Sequence, residues 1–158
     1  MKIGIGADHG GFDLKGELIS FLRSQGHEVV DFGADRYEAE DDYPDRTLPV
    51  AQAVASCEVE RGIVICGSGV GAAVAANKVA GVRASVCHDT YSARQGVEHD
   101  DMNVLCLGER VIGIELAREV LTSFMQARFD GAERHLRRLR KVEAIERETM
   151  KGGQAGHG

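Results

Sequence analysis

Six consecutive residues, Cys66-Gly67-Ser68-Gly69-Val70-Gly71, put a thiol directly ahead of a glycine-rich turn. Glycines let the backbone approach a ligand closely, and successive N–H groups in such a turn form a nest for an anion. A thiol at the start of the following helix is a usable base or nucleophile. A second reactive stretch, Asp8-His9-Gly10-Gly11, also runs into glycines. Further along, Glu98-His99-Asp100-Asp101 sets a histidine among acids, and Arg110 follows. Arg134 and Arg138 share a helical face at i, i+4, a spacing that suits a bidentate grip on phosphate. Such residues equip a protein to hold a small anionic substrate beside a group that moves a proton. Each also has a plainer reading: a tight turn, a core cysteine, solvated histidines, a solvated helix face. The turn lacks the G-x-G-x-x-G dinucleotide spacing, and no P-loop lysine follows it.

The elements that must position these residues are legible as alternating patterns. Five short apolar runs, Lys2–Ala7, Glu28–Phe32, Gly62–Cys66, Val82–Cys87 and Asn103–Leu107, are rich in Val, Ile or Leu and do not alternate with polar residues. They predict parallel strands buried on both faces. Between them lie helical patterns: Phe12–Gln25 ending at Gly26, Thr47–Ser56 with Pro49 in its first turn, Ala72–Lys78, a weaker one after Asp89, and Ile112–Met125. The last of these is expected to bury Leu116, Ala117, Val120, Leu121 and Phe124. Alternation of this kind predicts an α/β fold, a three-layer α/β/α sandwich on a five-stranded parallel sheet of order 2-1-3-4-5. Ligands bind such sheets at the carboxyl ends of the strands, where the order reverses. That reversal falls between strands one and three, which end in Asp8-His9 and in Cys66 with its glycines. His99 and Arg110 are expected on the same active edge. His27 and His88 are read as unplaced.

After Gly131 the stretch Ala132–Glu148 predicts a sixth, appended helix with a narrow apolar stripe, Leu136, Leu139, Val142 and Ile145, for which a neighbouring subunit is one cover. Residues 1–150 are expected to form one domain, and Lys151–Gly158 a disordered tail. The 158 residues carry a net charge of −6, which argues against a general nucleic-acid binder. Acidic residues crowd Glu38–Asp45 and basic ones Arg134–Lys141. No apolar tract is long enough for a membrane span, and the N-terminus has no signal-peptide pattern, so the expectation is a cytoplasmic protein. The four cysteines, Cys57, Cys66, Cys87 and Cys106, lack metal-ligand spacing and read as reduced thiols, all but Cys66 as small buried hydrophobes.

A resemblance adds to this reading. Ala7-Asp8-His9-Gly10-Gly11, Asp42-Tyr43-Pro44, the Cys66–Gly71 turn, Ala75-Ala76-Asn77-Lys78-Val79, Glu98–Leu105, Gly108-Glu109-Arg110-Val111 and Arg134-His135 resemble the ribose-5-phosphate isomerase B family, over about Met1 to Glu148. That family includes galactose-6-phosphate isomerase subunits and allose-6-phosphate isomerases. The resemblance implies a Rossmann-like dimer, or dimer of dimers, with its active site at the subunit interface and with neither metal nor cofactor. It implies that Cys66 moves a proton between C1 and C2 of the sugar, and that His99, with Asp8 nearby, opens the furanose ring. Gly67, Ser68, Gly69, Val70 and Gly71 are implied to stabilise the enediolate. His9, Arg110, Arg134 and Arg138 match phosphate-binding positions, with Arg137 an alternative to Arg138, and Tyr43 matches a tyrosine that lines the sugar. Relatives without the cysteine use a glutamate where this chain has Ala72. Two departures bear on substrate: Asp100 stands where the family usually has Asn, and a basic residue often found near Val97 is missing. The reading is therefore ribose 5-phosphate/ribulose 5-phosphate isomerisation, with a six-carbon aldose phosphate isomerase (allose or galactose 6-phosphate) or a non-catalytic phosphosugar-binding protein as alternatives.

Overall fold

The structure, a computed structural model, describes residues 1–154. Its elements are β1 (Lys2–Ala7), α1 (Phe12–Ser24), β2 (Glu28–Asp31), α2 (Tyr43–Ala55), β3 (Arg61–Cys66), α3 (Val70–Ala76), β4 (Ala84–Val86), α4 (Thr90–Asp100), β5 (Val104–Gly108), α5 (Ile114–Gln126) and α6 (Glu133–Gln154), with a 3-10 turn at His9–Gly11. Every strand pairing is parallel. β3 and β5 are buried at every residue, and β1 at all but its first, which is why none of them alternates in sequence.

The sheet order is 2-1-3-5-4, a correction to the expected 2-1-3-4-5. β4 is three residues long and none of them is fully buried, whereas β5 is five residues and wholly buried. The longer apolar strand therefore takes the interior and the short one the edge. The exchange decides where the helices go. Right-handed crossovers that step one way along the sheet put α2 and α3 on one face; those that step back put α1 and α4 on the other, where α5 joins them. The two cores divide accordingly. One gathers Ile5, Leu18, Val97 and Phe124; the other gathers Val50, Val64, Ala72 and Cys106. β3 thus lies between two strands, β1 and β5, whose following loops leave toward the opposite face. A crevice opens on each side of its carboxyl end.

Several boundaries differ from the sequence reading. α2 begins four residues early because extended Asp42 caps it and Pro44 suits its first turn, so Pro49 stands inside the helix. α1 closes as expected: Gly26 has φ +82°, and the His27 N–H reaches back to the Leu22 carbonyl. Leu116 is exposed and not part of the core, as is Cys57. α6 continues past Glu148 to Gln154, and the rest of the expected tail lies outside the described residues. On that helix Leu136 and Leu139 are half-buried, but Val142 and Ile145 are 52% and 63% exposed. Buried Arg61, at the head of β3, donates to the carbonyls of Phe124 and Ala127, where α5 ends.

Candidate active site

Cys66 is the last residue of β3 and is buried. Its Sγ accepts the Gly69 N–H at 3.1 Å. Gly69 caps α3 with φ +82°, and an added Cβ would lie 3.0 Å from the Leu107 carbonyl carbon of β5. Only glycine fits that turn without strain. Ser68 is exposed, and its Oγ accepts the Val70 N–H at 3.2 Å. Two of the turn's amides are therefore already engaged, one by the thiol and one by the serine. Tyr43, at the start of α2, lays its ring over Gly71, where a Cβ would meet ring atoms at 2.8–3.0 Å.

On the β1 side, Asp8 is buried and its Oδ1 accepts the Gly10 N–H at 2.9 Å. Burial pushes its carboxyl above the ordinary 3.8, against the pull of that N–H and of nearby His9 and Arg110. His9 is held by Asp41, whose Oδ1 takes both the His9 backbone N–H (2.8 Å) and its Nδ1 (2.9 Å). That hydrogen bond raises the His9 pKa above 6.5. Burial alone would raise the Asp41 carboxyl, but the His9 bonds and the Arg46 guanidinium (3.0 Å) outweigh it and hold it below 3.8. On the β5 side, the Arg110 N–H donates to the Gly67 carbonyl, and its guanidinium folds over Gly67. His88, read as unplaced, accepts the Gly108 N–H through Nε2 at 2.9 Å and so braces the end of β5.

The remaining expected residues are not here. His99 and Asp100 end α4, five and four residues before β5 begins, which puts them at the amino edge of the sheet. A five-residue strand, at about 3.3 Å per residue, separates the two edges by roughly 17 Å. The expectation that His99 shares an edge with His9 and Arg110 is thus corrected. In a βα fold the residue just before a strand always lies at the amino edge, because the helix has run back across the sheet.

His99 has its own setting there. Its ring stacks on that of His135 with centroids 4.0 Å apart and planes at 24°. Gln95, one turn earlier, is 2.8 Å from its Nδ1. His135 is buried; its Nδ1 lies 2.8 and 2.9 Å from the two Asp130 oxygens, and its Nε2 accepts from Arg134 Nε at 3.1 Å. Asp130 in turn donates its N–H to the Glu98 carbonyl. Arg134, Arg137 and Arg138 are all exposed.

Sequence reasoning missed Asp41, Gln95, Asp130 and His135. Gln95 sits one helical turn before His99, a signal that was available. Asp41 was hidden in the acidic crowd, and Asp130 in a loop. Among the described residues, Asp8–His9–Asp41 and His99–Asp130–His135 bring donor atoms within metal-ligating reach. In both clusters, however, protein hydrogen bonds occupy Asp8 Oδ1, His9 Nδ1 and both nitrogens of His135. Each half suits charge and proton handling instead: a thiol and a buried carboxyl at one edge, paired imidazoles and guanidinium groups at the other.

The Ribose/Galactose Isomerase family matches residues 3–142. The chain belongs to that family. Ribose-5-phosphate isomerase B of Escherichia coli is 47% identical over 92% of this chain and 96% of its own length. D-erythrulose-4-phosphate isomerase of Pectobacterium atrosepticum is 40% identical over 83% and 86%. Among solved structures, a Clostridium thermocellum ribose-5-phosphate isomerase B aligns with a TM-score of 0.91 at 51% identity, covering 94% of this chain and 99% of that one. The Mycoplasma genitalium ribose-5-phosphate isomerase B, solved with ribulose 5-phosphate bound, aligns at 0.89 and 38% identity, covering 93% and 97%.

Proposed function

We propose that the protein is an aldose–ketose isomerase that interconverts ribose 5-phosphate and ribulose 5-phosphate. The observation that carries this reading is Cys66, a buried sulfur at the end of the central strand with the glycine turn on one side and Asp8 across the crevice. In the reaction Cys66 takes the proton from C2 of the opened aldose and returns it to C1. The enediolate between those states is stabilised by Ser68 and by the amides of Gly67 and Gly71, since those of Gly69 and Val70 are engaged. General base catalysis and an oxyanion site each contribute about 10²- to 10⁴-fold. His99, with Asp8 beside the sugar, opens the furanose ring. His9, Arg110, Arg134 and Arg138 hold the phosphate; Tyr43 and Asp100 line the sugar. Substrate and product have the same overall oxidation state, so the reaction requires proton transfers and no redox cofactor.

His99, Asp100, Arg134 and Arg138 stand at the edge opposite Cys66, so a complete site needs a second copy of the chain to bring them in. A homodimer or dimer of dimers, working in the cytoplasm, meets that need. The stripe left open at Val142 and Ile145 supports such an assembly. No helix among the described residues is long and apolar enough to cross a membrane.

A four-carbon phosphosugar is a second reading, favoured by the relative named for D-erythrulose 4-phosphate. The test is turnover of four-, five- and six-carbon aldose and ketose phosphates by the purified protein and its Cys66→Ala variant. The highest kcat/KM on ribose 5-phosphate is expected, with a loss of at least about 10³-fold in the variant at unchanged Tm. Retained turnover in Cys66→Ala removes the assigned base, and a preferred four- or six-carbon sugar replaces the substrate.

A further inference from the structure

Two residues given roles above, His99 and Arg134, meet a third that has none. His135 is 1% exposed, and each of its polar atoms and one face of its ring are committed. Nδ1 faces both oxygens of Asp130 at 2.8 and 2.9 Å, Nε2 faces Arg134 Nε at 3.1 Å, and the ring lies 4.0 Å from that of His99. The chemistry of these partners fixes the tautomer. An arginine Nε only donates, so Nε2 of His135 must accept; the proton is then on Nδ1, which donates to Asp130. The ring is neutral and its orientation is set from both ends.

Asp130 is itself held. Its Oδ1 accepts the Ala132 N–H at 2.9 Å, and its own N–H donates to the Glu98 carbonyl at 3.0 Å, one residue before His99. The hydrogen bond from His135 keeps its carboxyl below the ordinary 3.8. The loop after α5, the end of α4 and the start of α6 therefore join through one carboxylate and one imidazole.

We infer that His135 is the positioning residue of this half of the site, orienting the guanidinium of Arg134 toward the substrate phosphate and backing the His99 ring. The inference rests on the proposed isomerase reading. Arg134 is exposed, on a flexible stem that would otherwise sample many rotamers. Anchoring Nε leaves both terminal NH2 groups for a bidentate grip on phosphate. His99, stacked on His135 and met by Gln95 at Nδ1, is left with Nε2 for the sugar. The arrangement gives the phosphate grip and the ring-opening group a common support, so the terminal phosphate and the sugar ring oxygen are registered against each other.

Two amide substitutions separate the two nitrogens. Asn at 135 places its amide near Nδ1 and keeps the Asp130 bond, but offers nothing to Arg134; Gln reaches the Nε2 position and offers Arg134 an acceptor. The readouts are Tm, kcat and KM for ribose 5-phosphate, and the Kd of inorganic phosphate by calorimetry, each measured with Arg134 and with Arg134→Ala. His135→Asn is expected to raise KM and the phosphate Kd about tenfold, the loss of one oriented charged hydrogen bond. In the Arg134→Ala background the same change should alter both by less than about twofold. His135→Gln should recover KM to within about threefold of the parent while kcat stays low. A phosphate Kd unmoved by His135→Asn, or moved equally in both backgrounds, overturns the inference. Because phosphate binding is read without turnover, a parent inactive on ribose 5-phosphate but showing the expected Kd cycle overturns the isomerase reading and leaves the His135–Arg134 link standing. Should His135→Asn fail to fold, His135→Gln is compared with the parent directly: a phosphate Kd within about threefold of the parent, lost on adding Arg134→Ala, supports the link, and a larger rise in the Gln variant overturns it.

Discussion

Replacing Gly71 by Ala is expected to separate activity from stability. A Cβ at this position would meet Cζ, Cε1 and Cε2 of Tyr43 at 2.8, 2.9 and 3.0 Å. Those atoms are the far end of a side chain that is 39% exposed and has open solvent to swing into. The backbone of the glycine turn, packed against β5 at Gly69, has no such freedom. The ring therefore yields and the turn stays. In stability, alanine inside α3 gains about 0.5–1 kcal/mol over glycine, and the displaced ring gives back a similar amount of packing. Tm should thus stay within about 4 °C of the parent. In activity, the sugar loses an aromatic wall worth roughly 0.5–1.5 kcal/mol, so kcat/KM should fall about two- to tenfold. Calorimetry and steady-state kinetics on ribose 5-phosphate test both halves. Tyr43→Ala should cost the same kcat/KM, and the double variant should be no worse than Tyr43→Ala alone. Undiminished kcat/KM at unchanged Tm would refute the placing of Tyr43 at the sugar, and a Tm loss beyond about 8 °C would show that the turn, not the ring, gave way.

Two further expectations concern charge. The His9 pKa lies above 6.5, first because of the Asp41 hydrogen bond, and that of Asp41 lies below 3.8, so the pair's contribution to stability is complete between those two ordinary values, fades as pH rises through the folded-state value of His9 and is lost as pH falls through that of Asp41. Asp41→Asn should bring the His9 titration, followed by NMR, down toward 6.5 and move the alkaline loss of inorganic phosphate binding to lower pH; an unmoved titration counts against Asp41 as its partner. Arg61→Met leaves the buried Phe124 carbonyl without its donor and the Ala127 carbonyl with Arg128 alone, offset in part because burial already disfavours the guanidinium charge. The net cost should be about 2–4 kcal/mol, lowering Tm by roughly 4–16 °C while kcat per folded molecule is kept; a Tm within about 2 °C of the parent rejects the capping role.

What the sequence determined by itself was local. Apolar runs without alternation located the five strands, because strands buried on both faces need apolar residues at every position. Gly26 stopped α1 and the glycines after Cys66 marked the turn, because positive φ and close backbone approach are properties of single residues. Thus the β1 and β3 ends, with Asp8, His9 and Cys66, are legible in the sequence. Tertiary structure decided what depends on competition between distant segments. β5 displaced β4 from the sheet interior because it buries more apolar surface, and no local pattern compares two strands 20 residues apart. That exchange moved α4 to the face of α1 and α5, where His99 meets Asp130 and His135 across the start of α6. Asp41 and His135 were invisible for the same reason: each works through a hydrogen bond whose partner is chosen by packing, and a carboxylate in an acidic run or a histidine among arginines looks solvated until the fold brings its partner to within 3 Å.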